Sequence, residues 1–381
     1  MTAAIRATDA IIVGGGLAGA AIATRLASAG REVVVLEREE GPHDKVCGEF
    51  LSREAGLYLS ALGIDLPALG AVPIEAVRLS HRATLAVVSL PFPAVSLSRR
   101  VLDEALLARA AAAGATIQRG ARVVELSRVG ETYRARLASG QHIAARAAFL
   151  ATGKHDLRGW KRPAGLQNDL LAFKLYFRLA ADQARSLDRH VELALFDGGY
   201  AGLSPVEGGR ANLCLVVRRR RFAALGQRWD NLLAAIRAQS THLDERLRGA
   251  EACGDRPLAL SSIPYGYISR HADGPFHLGD QAAVIPSFAG DGMSIALHSA
   301  EVATRTYLAG RGAEALARQL ARDVTGQVLL ATGLSHGLVR RPAQAALCAM
   351  ARMFPGAMAA IAARTRVSDA ALARTNMGHD S

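Results

Sequence analysis

The chain has 381 residues, half of them hydrophobic, and carries 46 Lys and Arg against 34 Asp and Glu, a formal net charge of +12. That length holds two domains or one large α/β domain with an insertion, and no uninterrupted apolar run reaches the ~18 residues of a membrane span; the nearest, residues 343–363, contains Arg352, Pro355 and Gly356. The positive charge invites a nucleic-acid partner, but lysines are few, arginines are dispersed through alanine-rich helices and aromatic residues make up only 5%, so no base-stacking platform and no nucleic acid are expected.

Cys47, Cys214, Cys253 and Cys348 show neither CxxC nor metal-ligand spacing, and the first residues lead into a strand rather than through a signal peptide. No metal site is expected, and the expected location is a reducing cytoplasm.

In chain order, residues 10–13 form an apolar run suited to a buried parallel strand. Gly14, Gly16 and Gly19 follow in the spacing GxGxxG, then an alanine-rich helix from Leu17 to about Ala29, a stop at Gly30, and a second apolar run ending at Glu37, about 20 residues on. Gly14 suits the tight turn, Gly16 lets the backbone approach a pyrophosphate, and Gly19 lets the helix pack closely on the sheet with its positive end facing the phosphates. This is a dinucleotide-binding βαβ unit, in which Glu37 accepts from a ribose hydroxyl.

A loop and a helix carrying Cys47 to Ser52 come next, then strands within 77–97 broken at Pro91 and Pro93. Residues 98–114 read as a helix with Ser98 as N-cap and Gly114 as stop. Strands near 116–118, 122–127, 132–138 and 147–152 return the chain to the nucleotide sheet. Residues 167–268 are β-rich, with strands at 171–179, 191–196, 200–205, 211–217 and 258–268 interrupted by one long helix over 222–247. The run from Arg218 to Arg221 reads as a solvated strand end, with contact to an anionic cofactor, substrate or membrane left open. After Asp280 the pattern returns to the α/β core, and beyond Ser299 it is helical.

Three separated motifs carry a resemblance to the FAD-dependent oxidoreductases that share the fold of para-hydroxybenzoate hydroxylase, among them aromatic monooxygenases, geranylgeranyl reductases and flavin halogenases. The first is the Gly14–Gly19 segment, including Leu17 and Ala18, with Glu37 and Arg38. The second is Arg99, Leu102 and Asp103, similar to a helix whose arginine approaches FAD. The third is Gly279-Asp280 with Pro286, Gly290, Gly292 and Met293. The resemblance implies an α/β fold: a Rossmann-like FAD-binding domain with an inserted β-rich substrate domain and C-terminal helices. Residues 1–166 form the first part of the FAD domain, with 77–97 open to the substrate domain; 167–271 are the substrate domain, 272–310 the return segment and 311–381 the C-terminal helical region.

The resemblance implies FAD as cofactor, held by those residues together with Cys47, Gly48, Val123 and Gly153, with Asp280 accepting from ribityl hydroxyls. NAD(P)H is the expected electron donor. Where many relatives have an Asp-Gly pair this chain has Thr152 and Gly153, so the usual handling of the nicotinamide nucleotide is not read here; Lys154 and His155 are open to a phosphate or to solvent. The segment from Lys45 to Glu49 is similar to the Lys-Pro-Cys-Gly-Gly stretch of geranylgeranyl reductases, which makes Cys47 the candidate proton donor, with burial against the flavin as its plain alternative. Neither Trp160 nor Trp229 falls in the halogenase tryptophan motif, so halogenation has the least sequence support.

Phe173, Phe177, Tyr265, Tyr267 and Phe288, with Leu175 and Leu195, are the candidate pocket walls. Hydroxylation of a hydrophobic phenolic or polyketide-like small molecule is the leading expectation, on the weight of the larger superfamily. Reduction of an isoprenoid or other alkene is its alternative. His43, Asp44 and Glu49 cluster near the flavin loop without an assigned base. The cationic and apolar residues of 339–366 leave three roles open: a cover over the active site, a subunit interface, or peripheral membrane contact. Sequence leaves the oligomeric state open.

Overall fold

The computed structural model describes residues 7–271 and 273–377. Residues 1–6, 272 and 378–381, which the sequence reading assigns to the first, third and last segments, lie outside them. The described residues form two sheets with helices between and around them. The first sheet runs Thr116–Gln118, Val33–Leu36, Thr8–Val13, His142–Leu150, Thr132–Leu137 and Val123–Val129, and Phe276–His277 pairs parallel with His142–Leu150. Its central strands are buried on both faces, as parallel strands covered by helices must be: Ala10, Ile11 and Ile12 are fully buried.

The helix Leu17–Ser28 packs on this sheet because the glycines allow it. Gly14 has φ +105°, and a Cβ there would stand 2.5 Å from the Ala151 carbonyl oxygen. A Cβ on Gly19 would meet Gly14 O at 1.9 Å, so any side chain would lever the helix off the strand. The helix Arg99–Ala112 lies beside it, with the Ser98 hydroxyl accepting from the Val101 N–H at 3.3 Å as its N-cap.

The second sheet has nine strands, with Leu170–Arg178, Arg210–Arg218, Gly199–Val206, His190–Phe196, Val72–His81, Thr84–Ser96 and Phe50–Ser52 along its main path. Three of these precede residue 167. The substrate layer is therefore built from both sides of the proposed boundary, with 72–96 wholly within it.

Several local readings are corrected here. Pro91 and Pro93 do not break the strand Thr84–Ser96, because pairing to Val72–His81 jumps from Ala76↔Ser89 to Ile74↔Ala94 and both prolines fall in the unpaired bulge. The Cys47–Ser52 segment is not helical: Cys47–Glu49 is a loop with Glu49 at φ +60°, and Phe50–Ser52 is a strand paired with the Thr84–Ser96 strand. The long helix over 222–247 is three, Arg219–Ala224, Trp229–Gln239 and Thr241–Arg246. Gly226 and Gln227 take positive φ at the first break, and at the second the Ser240 hydroxyl caps the next helix by accepting from Leu243 N–H. The last strand stops at Ser261, since Ser262 has φ +61° and Pro264 has no N–H to pair.

The helix Gly292–Leu308 runs back through the core, where a buried chain of polar contacts fixes it. Tyr58 OH meets His298 Nδ1 at 2.7 Å, and His298 Nε2 meets Asp323 at 3.0 Å. Its N-terminal end is thereby aimed at the space between the two sheets.

Candidate cofactor and active site

Between the carboxyl ends of the parallel strands and the second sheet lies a cleft of about 1060 Å³, the place where open α/β sheets bind ligands. At one end are the glycine turn, Leu17, Ala18, Glu37 and Arg38, flanked by Val123. The Glu37 carboxylate is buried and accepts from Gly15 N–H at 2.6 Å and Glu39 N–H at 3.0 Å. It stands at the tip of its strand with its position set by backbone donors, as a ribose-binding acid requires.

Beside the turn the cleft is cationic. A Cβ built on Gly16 would lie 3.3 Å from Arg99 Nη2 and 3.4 Å from Lys45 Nζ, so two cations border the position where the GxGxxG turn presents its N–H groups. Asp103 holds both: its carboxylate receives Arg99 through two bonds of 2.9 and 3.0 Å and Lys45 at 2.7 Å. Burial would raise the Asp103 pKa, but Arg99 and Lys45 outweigh burial and lower it. Burial works against the charge on Arg99 as well, and the acidic groups around it, Asp103 foremost, together more than offset that. A diphosphate fits this cradle by charge and by reach.

Further along, Gly153, Lys154, Asp280 and Met293 line the cleft with Gly290 and Gly292. Lys154 Nζ lies 3.6 Å from Asp280 Oδ2 and donates to Val46 O at 3.3 Å. Gln281 Nε2 donates to Gly153 O at 2.8 Å, which pins that loop. Asp280 follows Phe276–His277 in a short 3₁₀ turn, Gly279–Gln281. Gly290 has φ +67° and a Cβ there would stand 2.7 Å from the Phe50 ring, so the turn after Pro286 needs glycine. Lys154 thus belongs to the cleft, the arrangement its neighbourhood in sequence left open; His155 lines it too and meets Arg38 at 3.3 Å.

The loop from His43 to Glu49 forms the facing wall. Cys47 is partly exposed, and its sulfur accepts from the Glu49 N–H at 3.3 Å. Asn212 Nδ2 donates to Cys47 O at 3.0 Å, and Ser204 Oγ to Gly48 O at 3.4 Å, so the second sheet holds this loop from behind.

Glu49 is the anchor. It is fully buried with φ +60°, and its Oε1 receives Lys174 Nζ at 2.5 Å, Tyr176 OH at 2.8 Å and Arg99 N–H at 2.8 Å. Burial pushes its pKa up, and Lys174 is the strongest opposing influence. Lys174 and Tyr176 were not singled out from sequence; the signal available was a lysine inside an otherwise apolar strand, Leu170–Arg178.

That strand also corrects the pocket. Side chains alternate across it, and Lys174 and Tyr176 occupy the face turned to Glu49. Phe173, Leu175 and Phe177 therefore point the other way, into a core with Leu232 and Ile236, where Phe173 packs on Phe222 at 4.9 Å. Tyr265, Tyr267 and Phe288 belong to a third core with Leu195 and Tyr200, one layer behind the cleft. Tyr265 OH meets Ser287 Oγ at 2.6 Å, and it is Ser287 that lines the cleft. The apolar walls are instead Val46, Leu258, Leu260, Val284 and Ile285.

The FAD binding domain family matches residues 7–152. Menaquinone reductase of Mycolicibacterium smegmatis is 26% identical over 79% of this chain and 76% of its own length. Digeranylgeranylglycerophospholipid reductase 2 of Methanopyrus kandleri is 29% identical over 77% and 75%. Squalene epoxidase 5 of Arabidopsis thaliana reaches 46%, over 16% of this chain and 11% of that protein. Among solved structures, the flavin-dependent brominase Bmp2 superposes with a TM-score of 0.78 at 17% identity, covering 97% of this chain and 98% of that one. Halogenase PltM in complex with phloroglucinol and FAD gives 0.72 at 16%, covering 97% and 90%. At such identity these two speak for the fold alone, and they lend no support to setting halogenation apart from the other chemistries.

Proposed function

Because the chain belongs to the FAD-dependent oxidoreductases of the para-hydroxybenzoate hydroxylase fold, we propose that it reduces a carbon–carbon double bond in a hydrophobic, isoprenoid-like small molecule. Hydroxylation, the leading expectation from sequence, takes second place. The observation that carries this reading is Cys47, a partly exposed thiol on the cleft wall with a backbone N–H on its sulfur. Relatives matching over three quarters of the chain bear the names of reductases, which supports it.

Glu37 would hold the adenosine ribose of FAD, Arg99 and Lys45 its diphosphate, and Asp280 its ribityl hydroxyls. Bound and reduced, FAD supplies hydride chemistry, and NAD(P)H is the proposed source of its electrons. The apolar wall of Val46, Leu260, Val284 and Ile285 excludes water from the alkene. Cys47 Sγ–H delivers a proton to the second alkene carbon. The Glu49 N–H meets the Cys47 sulfur, and solvent returns the proton the thiol has given up. A reducing compartment, which keeps this thiol free, is the proposed location, and no nucleic acid takes part.

The test is anaerobic turnover of a menaquinone or geranylgeranyl compound with NAD(P)H, followed by mass spectrometry. A product heavier by two hydrogens is expected. Cys47→Ser should lower the rate by ~10²-fold or more while FAD still binds. Oxygen uptake that depends on substrate, with oxygen-18 in the product, would establish the monooxygenase reading in its place.

A further inference from the structure

The helix Arg341–Met353 and the segment Pro355–Arg374, made of the helices Pro355–Arg364 and Asp369–Arg374, are bent by 110° with Phe354 at the corner. No single helix among the described residues is long and apolar enough to cross a membrane. The inner side of the bend is ordinary core. Cys348 and Ala351 are buried, and Leu347, Met358 and Ala359 pack on the layer that contains Tyr265, Val284 and Phe288. The outer side is different. Met353 is 64% exposed and Phe354 59%, neighbours in sequence at the outermost point of the turn.

The charge around this tip has one sign. Residues 324–368 contain no Asp or Glu, although the chain has 34. Arg340, Arg341, Arg352 and Arg364 are all exposed. Arg341 pairs with Asp197 at 2.9 Å, whereas Arg340, Arg352 and Arg364 have no ion-pair partner among the described residues. An apolar corner with the unpaired Arg352 beside it, on a stretch of chain without acidic residues, complements one environment closely: an anionic lipid surface, whose phosphates accept from arginine while Met353 and Phe354 enter the acyl boundary.

We propose that the Met353–Phe354 elbow docks this protein on anionic bilayers. A second copy is the poorer occupant, because two cationic segments without acidic residues would meet across a two-fold contact between chains of net charge +12. A nucleic acid would leave the exposed phenylalanine and methionine without an apolar partner.

The placement serves the site. Val284 belongs both to the core on which Leu347, Met358 and Ala359 pack and to the cleft wall, so the elbow's helices and the cleft share one core. This purpose rests on the proposed hydrophobic substrate; the docking itself does not.

The experiment is co-sedimentation of the FAD-loaded full chain with phosphatidylcholine vesicles, with and without phosphatidylglycerol, at low and high salt. Binding is expected only with the anionic lipid, and it should fall as salt rises. Phe354→Ser combined with Met353→Gln should weaken it at least about tenfold, and Arg352→Glu about fivefold or more, with FAD absorbance and melting temperature unchanged. Failure to sediment with either vesicle, or variants that bind as the parent does, overturns the proposal. So does a dimer in sedimentation velocity that Phe354→Ser dissociates, which assigns the face to a second copy. Because no substrate is present, failure of the reductase reading would leave this result untouched.

Discussion

Replacing Lys174 with methionine removes the cation that sits 2.5 Å from the fully buried Glu49 carboxylate. The methionine fills the space of the lysine stem, so lost packing is small and the experiment isolates charge. Tyr176 OH and the Arg99 N–H still donate to Glu49, but neither carries a compensating charge. Breaking a buried pair from one side costs roughly 3–5 kcal/mol, a large part of the ~5–15 kcal/mol that stabilises a typical domain. At about 2–4 °C per kcal/mol for a domain of some 200 residues, the melting temperature should fall by roughly 6–20 °C.

The loss should depend on pH. Burial already raises the Glu49 pKa, and Lys174 is the strongest influence lowering it, so the variant's folded-state pKa rises further. A carboxyl whose folded pKa exceeds its unfolded value is most stabilising when protonated, so the penalty shrinks as pH falls. Circular-dichroism melts of FAD-loaded protein across pH, with Glu49→Met and the double variant, make the cycle complete. The double variant should be more stable than Lys174→Met alone. A Lys174→Met loss under about 1 kcal/mol at neutral pH, or a double variant that loses the sum of the two singles, would refute the reasoning.

Glu37→Ala should weaken FAD binding about 10- to 100-fold, since two backbone N–H groups lose a charged acceptor; fluorescence titration of apoprotein measures it, and a constant within threefold of the parent's counts against the ribose assignment. Gly290→Ala should cost roughly 1–2 kcal/mol from φ +67° alone, and the Cβ must also displace the Phe50 ring; a melt unchanged from the parent's would show that the turn relaxes freely. Asp291, fully buried near Arg366 and Glu54, is pushed up by burial to about 7. Its contribution to stability is complete below about pH 4, the unfolded value, and lost as pH rises through about 7, on the order of 4 kcal/mol across that window. Asp291→Asn should flatten that part of the stability profile, and an unchanged slope in urea titrations would exclude Asp291 as its source.

The local parts of this protein were legible in the sequence where the chemistry is contiguous. The turn from Gly14 to Gly19, the acid at Glu37 and the cap at Ser98 each depend on residues a few positions apart or on backbone rules that hold in any fold. Arg99, Asp280 and Gly290 were legible as motifs, though not as neighbours. The loop carrying Cys47 was identified while the strand that follows it was not, because Phe50–Ser52 becomes a strand only by pairing with Ala94–Ser96.

Facing and partnership were decided by the tertiary structure. Period-two alternation says that Phe173 and Lys174 lie on opposite sides of a strand, and it is silent on which side meets the cofactor cleft. Only packing put the aromatics against Phe222 and the lysine against Glu49, 125 positions away in the chain. A buried charge is stable only with its partner, and that partner comes from a different part of the sequence. The same reason hid the pairing of Arg366 with Asp291. What the sequence alone determined is the nucleotide-binding half and its cofactor; the reaction side of the cleft, and the residues that hold it in place, exist only once the second sheet has closed over the first.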